Sequence, residues 1–126
     1  MPGTPVRLFE GTMVGTDSYY TQPVDVTPVT ALTLRVRYIS GIGTSPQIEA
    51  QLQTSNNPEA EDADWEDVGS AAVTAASGAT AVSHETYVVT SGTGANNFMG
   101  FVRAKVTTGD TDNAVLGYVE ILGRSK

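Results

Sequence analysis

Between Ala31 and Gln53 the chain alternates apolar and polar residues twice, with a glycine-rich break between the two runs. In the first run Leu32, Leu34, Val36 and Tyr38 share one face, and Thr33, Arg35 and Arg37 the other. In the second, Ile48, Ala50 and Leu52 alternate with Gln47, Glu49, Gln51 and Gln53. Successive side chains of a strand point to opposite faces, so a period of two over this length predicts two half-buried strands. The break, Ser40-Gly-Ile-Gly-Thr-Ser followed by Pro46, has turn composition and predicts a hairpin.

The same signals extend along the chain. Val6 to Phe9 and Asp17 to Thr21 read as short strands, and the proline-flanked piece Pro23 to Pro28 as an extended edge. Residues 1–30 are thus either a proline-rich arm crossing the outside of the domain or irregular edge strands within it. After the central pair comes a polar loop, and Trp65 and Val68 mark a return to the core. Weak strands follow at Ala72 to Thr74 and within Thr80 to Thr90. Phe98 to Thr107 places Phe98, Gly100, Val102, Ala104 and Val106 on one face, and Met99, Phe101, Arg103, Lys105 and Thr107 on the other. Gly109 to Asn113 is expected to close a second hairpin with Ala114 to Leu122. About seven or eight short strands with no significant helix predict one all-β domain, an antiparallel β-sandwich or jelly-roll-like fold with its core in residues 31–126.

The last strand is apolar on both sides, with Val115, Val119 and Ile121 opposed to Leu116, Tyr118 and Leu122. A small sandwich has no further layer to cover a second apolar face. The face bearing Met99 and Phe101, or that bearing Leu116 and Tyr118, is therefore a candidate subunit or lattice interface; the plainer alternative is scattered surface apolar groups. Arg35, Arg37, Arg103 and Lys105 sit at alternating strand positions. They either pair across strands with Glu49 or Glu120, or form a basic stripe that meets the acidic loop of a neighbouring copy.

Charge narrows the function classes. The 126 residues hold 7 Lys and Arg against 14 Asp and Glu, a net charge of −7. So few cations oppose binding to a phosphate backbone, and no nucleic-acid partner is expected. The absence of cysteine rules out disulfides and thiolate chemistry. No apolar run approaches the roughly 20 residues of a spanning helix, so no membrane partner is expected. The N-terminus has no secretory signature, and a complete product of a cytoplasm is the expectation.

Six acids crowd between Glu59 and Asp67. Asp62-x-Asp64 lacks the glycine and the distal glutamate of an EF-hand loop, so a solvated loop is the simpler reading than a cation site. Asp110 to Asn113 reads as turn chemistry in the same way. His84 cannot form a triad with Ser83 and Glu85, because neighbours on a strand diverge. Neither a metal, a cofactor nor a catalytic set is expected. Trp65, Tyr19 and Tyr20, with Tyr38, Tyr87 and Tyr118, are either core aromatics or a glycan-stacking platform.

The order Leu-Thr-Leu-Arg-Val-Arg-Tyr, Ile-Glu-Ala-Gln-Leu-Gln-Thr-Ser-Asn and Trp65-Glu-Asp-Val-Gly resembles small bacteriophage structural proteins. The closing strands, Phe101 to Val106 and Tyr118 to Ile121, are similar to theirs. The resemblance covers roughly residues 31–122 and transfers no catalytic residue. It implies a capsid decoration (cement) protein, located on the virion and made in the host cytoplasm. Such a protein would bind the major capsid protein or another virion protein, and would be a homo-oligomer, with a trimer favoured. The alternative is a carbohydrate-binding or tail-associated receptor-binding module; an open patch of Trp65 with tyrosines would favour it, and burial of Trp65 would count against it.

Overall fold

Alternation along β4 (Ala31–Ile42) and β5 (Gln47–Ser55) buries Leu32, Leu34, Val36 and Tyr38 from one strand and Ile48, Ala50 and Leu52 from the other. The computed structural model describes residues 6–15, 18–26, 31–68, 73–76, 82–88, 98, 100–109 and 112–124 (the backbone alone for 82–88 and 124). Around β4 and β5 stand β1 (Val6–Val14), β2 (Tyr19–Tyr20), β3 (Val24–Asp25), β6 (Glu66–Asp67), β7 (Val73–Ala76), β8 (Val82–Val88), β9 (Phe101–Thr107) and β10 (Ala114–Arg124). Among the described residues one 3-10 turn, Asp62–Asp64, interrupts the strands. The protein is an all-β, jelly-roll-like sandwich of two antiparallel sheets.

The four-stranded sheet runs β1-β10-β4-β8. The six-stranded sheet is centred on β9 and β5, with β2 and β3 along the outer side of β9 and β6 and β7 along the outer side of β5. Val102, Ala104 and Val106 from β9 and Val115, Val119 and Ile121 from β10 line the interior, with Met13, Val26, Val68, Val73, Ala75 and Phe98 closing the core. The described part of the first 30 residues belongs to both sheets: β1 is an edge of one, and β2 and β3 are edge pieces of the other.

Neither expected hairpin forms. β4 pairs with β10 and β8, whereas β5 pairs with β9, β6 and β7, so Gly43 to Pro46 carries the chain from one sheet to the other. The connection from β9 to β10 makes the same jump. Turn composition reports that the chain reverses, and a connector of several residues can span the roughly 10 Å between sheets as readily as it closes a ladder.

The two crossovers are pinned together at one end of the sandwich. Thr44 Oγ1 donates to Asp112 Oδ2 at 2.8 Å, and the buried Asn113 Nδ2 donates to Thr108 O at 2.9 Å. Gly43 has φ +120°, and a Cβ there would come 2.4 Å from Asn113 Oδ1. On the other side of this junction the end of β1 is held by Gly15 N donating to Asn113 O at 3.0 Å. A second glycine is demanded by packing: at Gly117, beside a bulge in the β10–β4 ladder, a Cβ would stand 2.3 Å from Arg37 O.

Candidate functional site

The two outer faces are the surfaces on which function can be placed, and they are built differently. On the six-stranded sheet, Phe101, Arg103, Lys105 and Thr107 point outward from β9 beside the outward Gln47, Glu49, Gln51 and Gln53 of β5. Residues 56–68 fold back over this surface. Arg103 Nη1 donates to Asp62 Oδ1, Arg103 Nε to Gln53 Oε1, and Gln53 Nε2 to Asp67 Oδ1, each at 3.0 Å. The Arg103 guanidinium carbon lies 4.3 Å from the centre of the Tyr20 ring and 4.5 Å from that of Trp65. Cation–aromatic contact and charge-assisted hydrogen bonds together hold a cation that is only 6% exposed. Its Nη2 finds no acceptor among the described residues.

The loop is anchored along its length. Trp65 Nε1 donates to Ala60 O at 3.2 Å, Val68 N to Leu52 O at 2.7 Å, and Gln51 Nε2 to Val68 O at 2.8 Å. Near its tip Ser55 Oγ accepts from Asn57 N, and Asn57 Oδ1 from Glu59 N, both at 3.0 Å. Lys105 borders a shallow polar depression of about 240 Å³ that it shares with Glu49, Gln51, Asp67 and Thr107. Among the described residues no three His, Cys, Asp or Glu side chains gather as metal ligands.

The outer face of the four-stranded sheet has no loop of this kind packed on it among the described residues. Its polar half carries Arg7, Glu10, Arg35, Arg37, Tyr118 and Glu120. Glu120 accepts from Arg7 at 3.3 Å and faces Arg35 at 3.6 Å, Arg7 also pairs with Glu10, and the Arg7 guanidinium sits 3.8 Å over the Tyr118 ring. Its other half is apolar. The ladder sets Val14 beside Ala114 and Ala114 beside Ile42, and the next outward row contains Leu116 between Thr12 and Ser40. Val14 is 71% exposed, Ile42 72% and Leu116 39%. A depression of about 320 Å³ lies among Thr12, Ser40, Gly41, Ile42, Ala114 and Leu116.

Several expectations need correction. The basic stripe does not exist as one surface, because β4 and β9 lie in different sheets: Arg35 and Arg37 face one side of the molecule, Arg103 and Lys105 the other. Arg103 is buried against its own chain's acidic loop and is not available to a neighbour. Of the cross-strand partners considered, Glu120 is used by Arg35, while Glu49 accepts from Thr107 at 3.1 Å. The two candidate interface faces belong to different sheets: Phe101 is half-buried on the six-stranded sheet, Leu116 and Tyr118 stand on the four-stranded one, and Met99 lies outside the described residues. Tyr118 is half-buried beneath Arg7.

The glycan platform does not form either. Trp65 is 6% exposed, and Arg103 occupies both its ring and that of Tyr20. Tyr19, adjacent on a strand, turns the opposite way and packs edge-on against Phe9 with ring centres 5.2 Å apart. Tyr38 is a core residue. The backbone of β8 places His84 opposite Arg35, and the side chains of His84 and Tyr87 lie outside the described residues. Residues missed in the sequence are Val14 and Ile42. Both fall at strand ends, where each completes the period of its strand onto the outward face.

No family model matches the chain, and neither does any curated protein. Among solved structures it is similar to the Clostridium thermocellum N-terminal endo-1,4-beta-D-xylanase 10B CBM22-1-GH10 modules complexed with xylohexaose, at 9% identity and a TM-score of 0.49, over 95% of this chain and 29% of that one. The chain therefore spans less than a third of that protein, and a likeness of this size carries no argument about ligands.

Proposed function

We propose that this chain is a non-enzymatic structural protein of a bacteriophage virion, a capsid decoration (cement) protein that binds a preformed lattice. The observation that supports the reading best is the uncovered apolar corner of the four-stranded sheet, where Val14, Ile42 and Leu116 stand in solvent across three adjacent strands. Isolated exposed apolar residues are ordinary, but a contiguous group around a depression is the usual mark of a protein contact. Burying it against a subunit or a lattice protein removes that area from water, at roughly 25 cal/mol per Å².

In this reading the major capsid protein or another virion protein is the partner, the protein acts as a homo-oligomer with a trimer favoured, and it is made in the host cytoplasm and carried on the virion. Holding would come from multiplicity: many modest contacts made together on a symmetric lattice outlast any one of them. The rival reading, a glycan- or receptor-binding module, has lost the aromatic platform on which it depended, since Trp65 is buried.

The test is sedimentation of the purified protein with capsids of the encoding phage that lack it. Saturable binding, weakened by Leu116→Ser, is expected. Failure to sediment with any capsid form, together with binding on a glycan array, would replace this reading by the rival.

A further inference from the structure

We infer that the open face of the four-stranded sheet receives the acidic loop of a second copy of this chain, so that copies associate head to tail. The inference rests on the reading of that face as a protein contact, and names its occupant.

The chain is electrically two-sided. Of the six acids in the loop over the six-stranded sheet, Asp62 is held by Arg103 and Asp67 by Gln53, while Glu59, Glu61, Asp64 and Glu66 are exposed. Among the described side chains the opposite face carries Arg7, Arg35 and Arg37 against Glu10 and Glu120, a local cationic excess on a chain of net charge −7. Arg37 is exposed and has no ion pair among the described residues. These two surfaces look away from each other across both sheets, so they cannot meet within one molecule. Between two copies they can. A two-fold contact of loop on loop would set acid against acid, and one of face on face would set arginine against arginine. A heterologous contact pairs opposite signs, and it propagates into a closed ring or a filament.

Shape and rigidity agree with charge. The depression beside Ile42 and Leu116 is a receptor for a small apolar knob, and the loop offers exposed Pro58 at its tip with Ala63 farther along. The loop is already fixed by its bonds to Arg103, Gln53 and its own backbone, so little ordering is left to oppose docking.

Light scattering without any capsid tests this. The wild type is expected to exceed its monomer mass of 13.2 kDa as concentration rises. The association should weaken at least about tenfold between roughly 0.05 M and 0.5 M salt. Arg37→Glu alone and the pair Glu61→Lys with Asp64→Lys alone should each give monomers with unchanged melting. Mixing the two variants should restore assembly with the two alternating in equal amounts, because the charges of each are complementary to those of the other. A wild type that stays monomeric at every concentration, or a mixture that stays monomeric while the wild type assembles, overturns the inference. A monomer that still binds capsids leaves the virion reading standing without it; an oligomer that ignores capsids does the reverse.

Discussion

The outer faces of the two sheets begin from the same kind of strand and finish as opposites. Both rows alternate a buried apolar residue with an outward polar one, and both carry outward arginines. On β9 the arginine is sealed under Trp65 and Tyr20 and bound to Asp62 and Gln53. On β4 Arg35 reaches only Glu120 and remains 45% exposed at its side chain. A loop that returns over its own sheet converts a surface cation into an interior one, and the face on which no described loop packs keeps its charges and its apolar corner exposed.

Substitutions sharpen this contrast. Trp65→Ala should cost the most, about 3–4 kcal/mol in urea unfolding, since it removes a large buried side chain and uncovers Arg103. Arg103→Ala follows at about 2–3 kcal/mol, because it strips the hydrogen-bond partner from Gln53 and the cation from two rings. If Arg103→Ala proves as mild as a surface change, the covered face is not a rigid unit and the comparison fails. Arg35→Ala on the open face should cost under about 1 kcal/mol, as solvent-exposed pairs do. Smallest of all, Ile42→Ser should move stability by no more than about 0.5 kcal/mol by thermal melting while abolishing association.

Alternation along Leu32 to Tyr38, Ile48 to Leu52 and Phe98 to Val106 was enough to identify the core-facing residues, because a strand's two faces are written in its local sequence. Partnership between strands was not. Gly43 to Pro46 and Gly109 to Asn113 have the residues of hairpin turns, yet both carry the chain between sheets, and nothing local distinguishes the two outcomes. The site was legible to the same extent. Arg103 was correctly outward on β9, but its burial depends on Asp62, 41 residues earlier, and on Tyr20, farther still. The one local hint was a tryptophan inside an otherwise polar, acidic loop, which needed something to cover.

The place of β10 between β1 and β4 has a consequence in time. The four-stranded sheet is assembled around a strand that leaves the ribosome after the strands on both sides of it. Until Ala114–Arg124 has emerged, β1 and β4 have no ladder to share, and the apolar faces of β4 and β5 have only a partial layer to pack against. Folding must therefore await nearly the whole of these residues, and with its long strands paired only across large sequence separations it should be slow for the size, in the range of milliseconds to seconds. During that interval the nascent chain presents open β edges, which are prone to pair with other chains.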